Sequence, residues 1–224
     1  HSASKYISGQ GLSVAGAIVA GEQLNKKLVG NKRYDHFNTA DESYHGLVYA
    51  DLAGAFDIYT LRIRLSLLRD IGATLSAFNA WQLIQGLETL SIRVKEHSKN
   101  ALKVAEFLES HPKVKSVNYP GLKSSKLNEY VKANFTDGLA SGLLSFEVAD
   151  FETATSVLDN VKIFSVVVNI GDSKSIITHP ASTTHQQLPA NELAAAGISP
   201  GLIRLSIGLE NADDLINDLK EALK

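Results

Sequence analysis

From residue 114 onward the sequence alternates short β-type apolar runs with amphipathic helical runs, and no other feature restricts the fold as much. Residues 114–118, 142–148, 164–169 and 203–207 read as strands. Residues 126–134, 152–159, 189–196 and 211–223 read as the helices that follow them. This alternation predicts a compact α/β unit, because each amphipathic helix must bury its apolar stripe on a sheet. The last helix carries its own end signals. Asn211 is a good N-cap, Asp213 and Asp214 sit in the first turn, and Lys220 and Lys224 lie at the end, so both charge signs suit the helix dipole.

Upstream, Leu83, Leu87, Leu90, Val94, Ala101, Val104, Ala105 and Leu108 keep a helical period over residues 77–110, and Pro112 stops it. A helix of that length is more than one small domain needs, so it is expected to bridge two. The division falls at 94/95, with residues 1–94 ending a larger domain and 95–224 forming a small C-terminal one. A shorter helix over 58–71 places Leu61, Leu65 and Leu68 on one face and ends at Gly72. Residues 14–20, small and β-branched between glycines, suggest a buried strand. Residues 31–59 are irregular, polar and aromatic, a pattern often found in functional loops.

Composition narrows the function classes. The 224 residues carry a net charge of −2, with 44% hydrophobic and 21% charged residues, as in ordinary globular domains. No basic run points to nucleic acid or an anionic membrane. No uncharged apolar run approaches the roughly 18–20 residues of a membrane span, and the polar start lacks a signal-peptide core. There is no cysteine, so disulfides and thiolate metal sites are excluded, and a cytoplasmic location is compatible. Methionine is absent too, so the chain is expected to have been trimmed, truncated or excised from something longer.

Two clusters carry chemistry. The chain opens His1-Ser2-Ala3-Ser4-Lys5-Tyr6-Ile7-Ser8-Gly9-Gln10-Gly11. An amine flanked by hydroxyls suits a site where a lysine forms an imine and the hydroxyls hold a phosphate. A lysine amine must be neutral to act as a nucleophile, and burial or a nearby cation favours that state. The competing reading is a solvated lysine near a frayed terminus. The second cluster is Asn169-Ile-Gly-Asp-Ser-Lys-Ser175-Ile-Ile-Thr-His179-Pro-Ala-Ser-Thr-Thr184-His185-Gln. A metal site is disfavoured here, since the histidines are six apart rather than four and no cysteine assists. No nucleophile-elbow motif supports a hydrolase. Arg204 lies in a predicted strand between Ile203 and Leu205. It would need either a buried acidic partner or a carboxylate ligand, which a guanidinium grips in bidentate fashion.

Ser-Ala-Ser-Lys-Tyr with Gly-Gln-Gly, and Gly-Asp-x-x-Ser-Ile-x-x-His-Pro-Ala-x-x-Thr-His, resemble the two most specific segments of the Cys/Met-metabolism (trans-sulfuration) enzymes that use pyridoxal 5′-phosphate (PLP). Gln10 stands where that family usually has histidine. The resemblance covers the whole chain. It implies the C-terminal part of a fold-type I PLP-dependent transferase (aspartate-aminotransferase-like): the end of the cofactor domain, a linking helix and a small α/β domain. It further implies that Lys5 carries PLP as a Schiff base and that Ser2 and Ser4 bind its phosphate. Ser175 and Arg204 would hold the substrate α-carboxylate, and Thr184, His179 and His185 would be structural or supporting. Residues 42–51 and 67–79 are similar to the O-acetylhomoserine sulfhydrylase branch, as is the long connection between lysine and long helix.

That branch implies γ-replacement on O-acetyl-L-homoserine. Sulfide would give homocysteine and acetate in methionine biosynthesis, or methanethiol would give methionine. Cystathionine γ-synthase or γ-lyase and methionine γ-lyase are the neighbouring activities. A homodimer or homotetramer with shared sites is implied. So is an N-terminal portion carrying the aspartate for the pyridine nitrogen, the stacking aromatic residue and the phosphate-binding tyrosine–arginine pair. On that expectation the chain alone is incomplete and inactive. A non-catalytic fragment or pseudoenzyme is the alternative of another class.

Overall fold

The computed structural model describes residues 1–224. They form two compact units, one of His1 with 16–80 and one of 2–15 with 81–224. The sequence suggests a division at 94/95. The structure differs because the N-terminal segment 2–15 joins the second unit, and so does the helical region from 81 on.

In the first unit, α1 (Leu24–Leu28) leads to three single-turn 3₁₀ segments at Lys32–Phe37, Glu42–Tyr44 and Tyr49–Leu52. Helix α2 (Ile58–Arg62) is capped by the Asp57 side chain and runs through a π-helical stretch, Ile63–Leu68, into α3 (Arg69–Ile71). The expected helix over 58–71 is therefore present, widened at its centre. Leu28, Phe37, Tyr49 and Ile58 form a small core. The buried Tyr49 hydroxyl reaches Ser66 at 2.9 Å, and Ser66 donates to Asp41 at 3.2 Å. The buried strand expected at 14–20 is not found. Val14 and Val19 are 87% and 85% exposed, and no strand runs through these residues. The run has the composition of a buried strand but lacks neighbouring strands in this chain to pair with.

In the second unit, the expected long helix is two helices, α4 (Ala77–Glu88) and α5 (Leu90–Glu109). They part at Thr89, whose φ of −107° and ψ of 2° leave the helical region. The apolar period runs across the break because it is a property of residue spacing, not of backbone continuity. Helix α4 buries none of its residues, whereas α5 buries Ala101, Val104, Ala105 and Leu108.

Strands β1 (Ser116–Asn118), β2 (Leu143–Glu147), β3 (Ser165–Val166), β4 (Ile176–Thr178) and β5 (Leu202–Ser206) form one sheet in the order β1-β2-β5-β4-β3. All pairs are antiparallel except β3 with β4. The sequence foretold β1, β2 and β5, made β3 too long at 164–169, and did not foresee β4. Helices α6 (Asn128–Asn134), α7 (Phe151–Asn160), α8 (Ala190–Ala195) and α9 (Ala212–Ala222) stand where helical runs were predicted. Asn211 caps α9 by accepting from the Asp213 N–H at 2.8 Å.

The sheet has two different faces because alternate residues point to opposite sides. Leu144, Phe146, Ile177, Ile203 and Leu205 pack with α5, α7 and α9, each such side chain contributing about 1.5–3 kcal/mol by leaving water. The register brings Ser145, Arg204 and Thr178 side by side on the other face. No helix is long and apolar enough to cross a membrane.

One polar clamp ties the helical layer to the sheet. The buried Asp218 of α9 accepts the N–H groups of Lys162, Ile163 and Phe164, the first two at 2.8 Å. Asp218→Ala strands those donors and should lower unfolding free energy by about 2–3 kcal/mol. Urea denaturation measures this, and a loss within experimental error would remove the clamp from the fold's support.

Candidate functional site

Lys5 lies in a tight loop closed by its own backbone. The Ser8 N–H donates to Ala3 O at 2.9 Å and the Gly9 N–H to Lys5 O at 2.8 Å. The Tyr6 ring leaves this loop for the interior, where its hydroxyl accepts the Gly142 N–H at 3.0 Å and its ring meets His97 edge-on at 5.4 Å. The loop is thereby docked on the second unit with the Lys5 amine directed to one partner, Asn169 Oδ1, at 2.9 Å.

Asn169 follows β3 and was not singled out by sequence reasoning. Its backbone oxygen accepts from Arg204 Nη2 at 3.4 Å, so a single residue touches both the amine and the guanidinium. Gly11 leaves room for it: φ is +63°, and a β-carbon there would lie 2.7 Å from the Asn169 amide nitrogen. Arg204 projects from β5 on the face away from the helices and is half-buried, which pulls its guanidinium below its ordinary value. Even so, a guanidinium remains charged at working pH. No aspartate or glutamate forms a salt bridge with Arg204 or Lys5; the ion pairs are those of Lys95, Lys99, Lys132 and Lys224. Within this chain Arg204 forms no ion pair, and its guanidinium contacts the Asn169 carbonyl.

The serines divide. Ser2 is exposed. The Ser4 hydroxyl donates to Ala15 O at 3.2 Å and accepts the Ala15 N–H at 2.9 Å. It could turn its single proton to a phosphate oxygen and still accept that N–H. Ser175 differs from what the resemblance implies. It is fully buried, donates to Glu210 Oε2 at 2.8 Å and accepts the Gly208 N–H at 2.8 Å. Both roles of its hydroxyl are filled, so it secures the turn after β5 and has no face toward a substrate. His179 is buried with both ring nitrogens bonded, to Ser182 Oγ and Pro200 O, each at 2.8 Å. The Thr184 hydroxyl and His185 Nδ1 pair at 2.8 Å.

His97 backs the Tyr6 ring. Its Nδ1 lies 2.6 Å from Ile207 O, so that nitrogen carries the proton, and Nε2 is buried without a partner. Burial lowers its proton affinity below the ordinary histidine value.

An amine, an amide and an uncompensated guanidinium on one surface suit a ligand that carries an aldehyde or imine carbon at one end and a carboxylate at the other. The sequence profile of the Cys/Met metabolism PLP-dependent enzymes matches residues 1–224. O-acetyl-L-homoserine sulfhydrylase of Leptospira meyeri is 46% identical over the whole chain, which covers 52% of that protein. The Corynebacterium glutamicum protein of the same name is 41% identical over 98% of the chain and 50% of its own length. The crystal structure of a putative O-acetylhomoserine (thiol)-lyase from Campylobacter jejuni superposes with a TM-score of 0.94 at 53% identity. It covers all of this chain and 52% of that one, and it contains a pyridoxyl-lysine monophosphate. The chain spans about half the length of the curated relatives it matches.

Two outcomes follow. Ser175→Ala leaves the Gly208 N–H without its acceptor and Glu210 Oε2 without the hydroxyl donor, while Oε1 keeps the backbone N–H of residue 175, so stability should fall by about 1–3 kcal/mol, as read by thermal or urea unfolding. For His97, the unfolded chain takes up a proton as pH falls through about 6.5 while the folded chain resists it. Stability should therefore decline on acidification from pH ~7 to ~5, and His97→Gln should flatten that slope. An unchanged slope in the variant would show that other groups set it.

Proposed function

The chain belongs to the Cys/Met metabolism PLP-dependent enzyme family, and on that premise we propose that it supplies the Lys5 and carboxylate-binding half of a PLP-dependent O-acetylhomoserine sulfhydrylase. The observation that carries this is the convergence of Lys5 Nζ and Arg204 on Asn169 with no acidic partner for either cation. The residues fit the cofactor: Lys5 offers a half-buried amine for a Schiff base, and Ser2 and Ser4 offer hydroxyls one and three positions before it for the phosphate. When bound, PLP supplies an electron sink for negative charge formed at the substrate's Cα.

Arg204 receives the α-carboxylate of the amino acid, and the Asn169 amide lies beside it as a further donor. Together they fix the orientation of Cα. Lys5, released as a neutral amine, takes the proton from Cα and exchanges protons at Cβ as general base and acid. The Cγ–O bond then breaks with loss of acetate, and a Cγ–S bond to sulfide forms; the sulfide proton leaves with the acetate, so atoms balance as homocysteine plus acetic acid. Methanethiol in place of sulfide gives methionine by the same steps. We propose action within a homodimer or homotetramer. Phe78, Ile84 and Leu87 of α4, each more than half exposed, support burial against further protein, as apolar patches of this kind mark interaction surfaces.

Borohydride reduction after PLP loading, followed by peptide mass mapping, tests the assignment. Label is expected on Lys5 and on no residue of the Lys5→Ala variant; an unlabelled Lys5 would sink the catalytic reading in favour of a non-catalytic protein. O-acetylhomoserine with sulfide should yield homocysteine. Release of ketobutyrate without sulfide would assign γ-lyase activity instead. Arg204→Lys should raise KM for the amino acid by about tenfold or more, since an ammonium cannot match the bidentate grip.

A further inference from the structure

Arg93, in the first turn of α5, donates from Nη1 to Tyr6 O at 2.9 Å and from Nη2 to Ile7 O at 3.3 Å. The same guanidinium donates to Gly86 O at 2.7 Å, and its Nε donates to Thr89 Oγ1 at 3.1 Å. Four of its five N–H groups are thus engaged, two on the backbone just after Lys5 and two on the α4–α5 junction. The backbone is shaped for this contact from both sides. A β-carbon on Gly86 would lie 2.1 Å from Ile7 O, and one on Gly9 would lie 2.5 Å from Arg93 Nη1. The break at Thr89, which no helical pattern foretold, frees the Gly86 carbonyl and the Thr89 hydroxyl to face the same guanidinium. Burial lowers the proton affinity of Arg93, and its charge is met by three carbonyl oxygens and the Thr89 hydroxyl.

We propose that Arg93 is a positioning residue for Lys5: by gripping the Tyr6 and Ile7 carbonyls against the α4–α5 junction, it sets where the Lys5 amine stands relative to Asn169 and Arg204. The cofactor consequence rests on the reading of Lys5 as the PLP lysine. A lysine at this position keeps the charge but replaces the planar fork with a single donor centre, so it cannot span both carbonyls and the junction. Gly86→Ala reaches the same loop by another route, pushing Ile7 away while leaving Arg93 in place. Alanine is the better helix former, so a loss in that variant cannot come from helix propensity.

The test uses the holoenzyme with Arg93→Lys and Gly86→Ala. Hydrogen exchange is followed at the Ser8 and Gly9 amides, whose bonds close the Lys5 loop, and at Leu215 and Leu219 of α9 as reference. Both variants should exchange about tenfold faster at Ser8 and Gly9 with α9 unchanged. The PLP dissociation constant should rise by about tenfold, and the pH at which the Lys5-bound cofactor changes its visible absorbance should shift. Wild-type exchange at Ser8 and Gly9 overturns the proposal, and so does faster loop exchange with unaltered PLP affinity and absorbance. Equal acceleration in α9 overturns it as well, by making Arg93 a general support of the fold. Absence of PLP from Lys5 in the wild-type holoenzyme is a separate failure, that of the Lys5 assignment, and it is seen before any variant is made.

Discussion

The Asn169 side chain accepts a hydrogen bond from a lysine 164 residues away in sequence, and its backbone oxygen is a neighbour of Arg204. Two cations drawn to one residue, without an acid to neutralise either charge, are costly to keep half-buried. The fold meets that cost by holding each member rigidly. Arg204 is fixed by the ladder of β5 between β2 and β4. Asn169 leads into Gly171, whose N–H donates to Ser206 Oγ at 2.9 Å. Lys5 is held by its own side chain on Asn169 and by Arg93 through the carbonyls of Tyr6 and Ile7.

The scaffold achieves this by giving the two faces of one sheet different work. The helix-covered face is apolar and supplies most of the stability of the second unit. The opposite face carries Ser145, Arg204 and Thr178 in register. A period of two along β5 is enough to put Ile203 and Leu205 in the core and Arg204 beside Lys5. Ser175 illustrates the other kind of polar residue in such a fold. Its hydroxyl and the Glu210 carboxylate satisfy one another and the Gly208 N–H in a closed set, so they shape the turn after β5 and leave nothing for a ligand.

Much of this was legible in the letters. The alternation after residue 114 marked the α/β class, the Asn211 cap and the C-terminal charges marked α9, and Lys5 and Arg204 stood out through motif chemistry. Ser175 was misjudged because a serine within a specific motif looks the same whether its hydroxyl faces a substrate or a carboxylate. Asn169 was overlooked because an asparagine at a strand end is ordinary until its spatial neighbours are known. The break at Thr89 escaped because apolar spacing continues on both sides of it and carries no information on backbone continuity.

Local pattern, then, determined by itself the type and order of most elements in the second unit, since periodicity and capping are properties of short stretches of chain, while Lys5 and Arg204 were singled out through the family resemblance of their motifs. Only the tertiary structure decided that Lys5 and Arg204 meet at Asn169, that Ser175 is spent internally, and that Arg93 takes hold of the Lys5 loop. Those are hydrogen bonds between segments far apart in sequence. Their partners are chosen by how the sheet, the loop and the α4–α5 junction pack, and no local pattern carries that information.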